Sequence, residues 1–131
     1  MNYFNQLLEL QKNSHAPFSN YKVASILVDK NNNIFKGVNV ECSSLGLTIC
    51  AERSALVSAV AARSCNFKEL HLICSNKKSF GVPCGACLQM LADFFEDDTP
   101  IFVYNSNGEI KKYLFKELLP VCFRTNYFSK E

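Results

Sequence analysis

At 131 residues, with 48% hydrophobic and 20% charged side chains, the chain has the size and composition of one globular domain, which excludes a disordered polymer. A net charge of +2, with adjacent basic residues only at Lys77-Lys78 and Lys111-Lys112, gives no reason to expect a nucleic-acid or membrane partner. No stretch approaches the roughly 18 apolar residues of a membrane span, no secretion signal opens the chain, and the seven cysteines are an odd number, so a cytoplasmic protein with reduced thiols is expected.

In chain order, Phe4, Leu7 and Leu8 mark an amphipathic helix that runs on past Gln11 and ends near Ser14 to Pro17. Val23 to Val28 and Ile34 to Val40 read as an antiparallel pair of strands around a turn at Asn31-Asn32-Asn33. Cys50 to Arg63 is rich in Ala, Leu and Val with no Gly or Pro, which predicts a buried helix. Leu70 to Cys74 follows as an interior strand. Pro83 precedes a second helix, Cys84 to Phe95, with Met90, Leu91, Phe94 and Phe95 on its apolar side.

Ile101 to Tyr104 is a further strand, followed by a turn over Asn105-Ser106-Asn107-Gly108. Tyr113 to Leu119 contains a short helix stopped by Pro120, and Phe123, Tyr127 and Phe128 in the tail need a surface to cover. Strand and helix alternate without repeats or linkers, so the expected architecture is an α/β sandwich with one sheet between helices.

The chemistry gathers at two helix starts, Cys50-Ala51-Glu52-Arg53 and Pro83-Cys84-Gly85-Ala86-Cys87. Cys84 and Cys87, at i and i+3, share one face of a helical turn, and a helix N-terminus stabilises thiolate. Cys50 makes a third sulfur. Three protein ligands with a fourth position left to water describe a catalytic zinc site, whereas a structural one needs a fourth ligand that Cys42, Cys65, Cys74, Cys122, His15 and His71 are not spaced to supply. Those four cysteines read as small buried hydrophobes or idle thiols, and the two histidines as structural.

Glu52, two residues from Cys50, is placed to exchange protons with a water that zinc acidifies towards pKa about 7. Three thiolates and Zn²⁺ sum to minus one, which opposes that acidification, and the Arg53 guanidinium offsets it by donating to the ligand sulfurs. On Cys84 and Cys87 alone, a thioredoxin-like redox pair competes with this reading, and Cys-Ala-Glu-Arg upstream opposes it.

Cys-Ala-Glu-Arg followed by Pro-Cys-Gly-x-Cys resembles the short, homotetrameric cytidine deaminases, and the likeness spans nearly the whole chain. Ala16-Pro17-Phe18-Ser19, Tyr21-Lys22-Val23, Asn39-Val40-Glu41 and Glu117-Leu118-Leu119-Pro120 are similar to further family segments. The resemblance implies a three-layer α/β/α sandwich with a mixed five-stranded sheet, a Zn²⁺ cofactor, and hydrolysis of cytidine and 2′-deoxycytidine in pyrimidine salvage. It implies that Glu52 moves the proton, that Ala51 N–H and Glu52 hold the base edge, and that Asn39 and Glu41 bind the ribose hydroxyls.

By the same resemblance Tyr21 stands near the nucleoside where the family usually has Phe, and Phe123 reaches the base from a neighbouring subunit. Leu45, Cys42 and Cys122 depart from the family's usual residues. Other readings are a deaminase for another cytosine-bearing molecule, such as the blasticidin type or one acting on polynucleotide, and a non-enzymatic module in which zinc only fastens two helices.

Overall fold

A computed structural model describes residues 2–124. Tyr127 and Phe128 of the tail lie outside the described residues. Five strands form one mixed sheet in the order β2-β1-β3-β4-β5: β1 Val23–Asp29, β2 Ile34–Val38, β3 Phe67–Cys74, β4 Pro100–Tyr104 and β5 Ile110–Leu114. The one parallel pair is β3 with β4, and the other neighbours run antiparallel. A parallel neighbour needs a crossover, and the segment between these two strands supplies it with a helix.

Among the described residues four α-helices flank the sheet: α1 Phe4–Gln11, α2 Ala51–Ala61, α3 Gly85–Ala92 and α4 Phe115–Leu118. On one face α1 lays Leu7 against Ala24, Ile26, Val28, Ile73 and Tyr104. On the other, α2 and α3 bury Ala55, Leu56, Leu88 and Leu91 against Leu27, Leu70 and Ile101. Alternate residues of β1 therefore feed two cores, and all seven are buried, as expected of a strand covered on both sides. Burial of each large aliphatic side chain here contributes about 1.5–3 kcal/mol. The layers are those the sequence predicts.

Several boundaries differ from expectation. Tyr113 belongs to the edge strand β5 and not to a helix, because Ile110 to Leu114 pairs with Tyr104 back to Pro100; only Phe115–Leu118 is helical. Lys111 and Lys112 stand exposed on that edge, where charge discourages pairing with another chain. Strand β3 starts at Phe67, three residues early, and Met90 is exposed. Gln11 is buried although polar, because its Nε2 donates to the carbonyls of Lys22 and Ser75, both at 2.9 Å.

Of the four cysteines read as buried or idle, Cys74 is buried, Cys42 and Cys122 are half-buried, and Cys65 is exposed. His71 is buried with Nδ1 at 2.8 Å from the Tyr104 hydroxyl and Nε2 against Glu69, while His15 bridges to Val40 at the backbone. Neither joins the sulfur cluster described below.

Candidate metal and active site

Helices α2 and α3 begin on the same face of the sheet, and each is preceded by a cysteine at its N-cap. Cys50 has φ −75° and ψ 157°, and Cys84 has φ −73° and ψ 168°. These extended angles turn the chain out of a loop and into the helix. Cys87 follows one turn into α3, buried. The three sulfurs lie within 4.8 Å of one another, and no fourth Cys, His, Asp or Glu joins the cluster among the described residues.

Two contacts bring α2 close enough for this. The buried Ser25 hydroxyl donates to the Ala51 carbonyl at 2.8 Å, tying the first turn of α2 to β1. Beneath the same turn, Gly37 of β2 leaves no space for a side chain, since a Cβ there would stand 2.2 Å from the Ala51 carbonyl oxygen. Sequence reasoning passed over both residues. A glycine inside a strand is a known sign of close backbone approach, whereas Ser25 carried no signal.

The electrostatics of the cluster call for a cation. Burial opposes ionisation of Cys84, but hydrogen bonds from the Cys87 and Ala86 N–H groups and from the neighbouring thiols outweigh it and hold its pKa below the usual 9.0. Cys87 is pushed well up, by burial first and then by Glu52 and the other two sulfurs. Thiols crowded this closely cannot all ionise unless a positive ion offsets their repulsion. Zinc–sulfur bonds of about 2.3 Å in a tetrahedron separate sulfurs by about 3.8 Å, which falls inside the 4.8 Å within which these three lie. The three residues fit zinc.

Glu52 is 4% exposed at the margin of the cluster. Burial raises its carboxyl pKa above 4.5, opposed by its own backbone N–H, the Cys87 thiol and Arg53. Such a carboxyl is poised to hold a proton nearer neutrality than an ordinary glutamate. The Arg53 guanidinium donates to Cys50 Sγ at 3.5 Å and to the Thr48 carbonyl at 3.4 Å. Its pKa is raised, chiefly by Cys50 and, after opposing burial, by Cys87. Its Nε is buried with no hydrogen-bond partner among the described residues.

A cavity of about 250 Å³ opens beside the sulfurs, lined by Cys50, Ala51, Glu52 and Cys84 at one end and by Ser19, Asn39 and Glu41 at the other. Tyr21, Val23, Thr48, Cys74 and Val82 complete the wall. Its size suits a small molecule, being below the roughly 300–1,000 Å³ of most ligand pockets. Asn39 Oδ1 accepts the Val23 N–H at 3.0 Å and the Ser14 hydroxyl, while its Nδ2 donates to the Tyr21 carbonyl at 2.7 Å. Tyr21 is raised to about 12, by burial first and then by Cys74 and Glu52.

The cavity thus collects Tyr21, Asn39, Glu41, Cys50, Ala51, Glu52 and Cys84, while Cys87 and Arg53 stand behind the sulfur end. Phe123 is not among the residues that line it; its carbonyl accepts from Gln89 Nε2 of α3 at 2.8 Å. Cys74 and Gly81 were not anticipated. A Cβ on Gly81 would come within 2.7 Å of Cys74 Sγ, so this loop seats directly on the cavity wall and delivers Val82 to Cys84 to the site.

The arrangement has known counterparts. Residues 1–103 match the family described as "Cytidine and deoxycytidylate deaminase zinc-binding region". The chain belongs to this family. The deaminase fold extends over nearly all of it: a cytidine deaminase structure from Burkholderia pseudomallei superposes with a TM-score of 0.85 at 32% identity, covering 91% of this chain and 94% of that one. A cytidine deaminase of Mycoplasma genitalium is 37% identical over 119 residues, 91% of either chain. A probable cytidine deaminase of Dictyostelium discoideum is 43% identical over 113 residues, 86% of this chain and 76% of that protein. Zinc is the cofactor of this deaminase family, and the sulfur cluster is where this member is built to accept it.

Proposed function

We propose that this chain hydrolyses cytidine and 2′-deoxycytidine to the corresponding uridines with release of ammonia. The observation that carries the reading is a buried glutamate, Glu52, lining a small cavity that opens beside three zinc-compatible sulfurs. Relatives named cytidine deaminase along most of the chain support the substrate class.

Cys50, Cys84 and Cys87 would hold the zinc, which when bound would supply a water acidified towards neutral pH. Glu52 carries two protons in turn: the first passes from the water to ring N3 as hydroxide adds at C4, and the second passes from the new C4 hydroxyl to the amino group, so that the C4–N bond breaks and ammonia leaves. The Ala51 N–H, in the first turn of α2 where backbone donors have no helical partner, holds the base edge together with Glu52. Arg53 draws charge from the sulfurs and so favours ionisation of the water. Asn39 and Glu41 hold the sugar at the other end, and Tyr21 walls the side.

The protein acts as one domain, in a homotetramer with shared sites to which Phe123 contributes, and works in the cytoplasm in pyrimidine salvage. Exposed apolar side chains at Leu45, Leu47, Val57 and Val60 support the assembly, and seven free cysteines support a reducing compartment. No helix among the described residues is long and apolar enough to cross a membrane. The test is a panel of cytidine, 2′-deoxycytidine, blasticidin and a short oligonucleotide on metal-analysed protein. Ammonia from the two nucleosides with about one zinc per chain is expected; turnover of the oligonucleotide or the antibiotic alone overturns the substrate assignment.

A further inference from the structure

The loop between α1 and β1 folds over the sugar end of the cavity and is held there by one carboxylate. Glu41 Oε1 accepts the backbone N–H groups of Phe18, at 2.9 Å, and Ser19, at 3.1 Å. Glu41 Oε2 accepts the Ser19 hydroxyl. The same Ser19 oxygen accepts the Tyr21 N–H at 2.9 Å. A carboxylate offers about four acceptor positions, so the loop occupies three and leaves one, on Oε2, at a residue that lines the cavity.

We propose that Ser19 is a positioning residue for the substrate's sugar: its hydroxyl locks Glu41 in an orientation that leaves a single acceptor for one ring hydroxyl of the nucleoside. This rests on the nucleoside reading above. A carboxylate fixed before binding loses no rotamer freedom when the hydroxyl arrives, and that saving appears as affinity. Ser19 also ties Glu41 to the cavity wall, since it accepts the backbone N–H of Tyr21, a residue that lines the cavity. The surroundings agree with an acceptor role, because the hydrogen bonds from Ser19 and Phe18 keep Glu41 ionised. Asn39, with Oδ1 doubly occupied, has only an N–H of Nδ2 left to offer, so the two sugar-side residues present one donor and one acceptor.

The consequence is selectivity that depends on the sugar. Ser19→Ala is expected to raise KM for cytidine on the order of tenfold with kcat within about twofold, the loss of one well-placed charge-assisted hydrogen bond. Ser19→Thr, which keeps the hydroxyl, is expected to restore KM to within about threefold. The discriminating substrate is 2′,3′-dideoxycytidine, which has no secondary hydroxyl to meet Glu41; its kcat/KM should be the same in wild type and Ser19→Ala. Equal losses on both substrates would show that Ser19 merely supports the loop, and no change on either would show that Glu41 does not need it; both overturn the proposal. If the wild-type protein releases no ammonia from cytidine, the deaminase reading itself fails and takes this one with it.

Discussion

Ser25 and Ala51 are joined by a buried hydrogen bond of 2.8 Å that crosses from the middle of the sheet to the first turn of the helix carrying Glu52. The Ala51 carbonyl is thereby fixed in place on β1, and with it the residues on either side, Cys50 and Glu52. Ser25→Ala should cost about 1 kcal/mol, the net value of one such bond. Urea unfolding of the two proteins with unchanged m-values measures it, and equal midpoints would show that the contact contributes nothing.

Gly37 makes a stronger test of the same junction. A methyl at this position would meet two backbone atoms, the Ala51 oxygen at 2.2 Å and the Ala55 nitrogen at 2.4 Å, neither of which can swing aside. Gly37→Ala should therefore lose about 1–3 kcal/mol and bind less zinc, because α2 must lift from the sheet. Gly46→Ala, where a Cβ meets nothing within 4 Å, serves as the control and should stay within about 0.5 kcal/mol of wild type. Similar melting and zinc content in the two variants would refute the close-approach argument.

Replacing Glu52 by glutamine keeps the shape and removes the titrating proton. The variant should retain its zinc, measured by elemental analysis, and lose about 10²–10⁴ in kcat on cytidine. A rate within a few-fold of wild type would exclude Glu52 as the proton carrier.

Arg53→Ala removes the donor that lies 3.5 Å from Cys50 Sγ. Groups that support metal ligands in this way are worth about 10–100-fold in metal affinity or rate, so competition with a chromogenic chelator should extract zinc more readily from the variant. Its activity should also rise at a higher pH than that of wild type, because more electron density left on the sulfurs makes the water less acidic. An unmoved profile with unmoved zinc affinity contradicts the charge-offset account.

His71, which does not line the cavity, makes stability depend on pH. Burial lowers its pKa from 6.5, against the opposing pull of Glu69. The unfolded chain therefore binds this proton more readily than the folded one. The resulting stability is fully present above about pH 6.5 and is lost as pH falls through the lower, folded value. His71→Gln should flatten the decline in melting temperature between pH 7 and pH 5 relative to wild type; parallel curves would remove His71 as its source.

Much of this molecule was legible in local sequence. Two thiol-bearing helix starts, the carboxylate and guanidinium beside one of them, and the alternation of strand and helix are short-range patterns, because helix capping and ligand spacing act within a few residues. Edge strand β5 was not legible: Ile110-Lys111-Lys112-Tyr113-Leu114 has little local β signal, and its form is decided by pairing with β4. The same holds for the junction beneath α2. That Gly37, Ser25 and Ala51 meet, that Cys50 comes within 4.8 Å of two sulfurs more than thirty residues further along the chain, and that Ser19 closes on Glu41 are consequences of sheet order and register. The sequence by itself determined which groups could do the chemistry. Only the packing of α2 and α3 on one face of a five-stranded sheet decided that they share a site, because contacts between distant segments depend on how the whole chain folds.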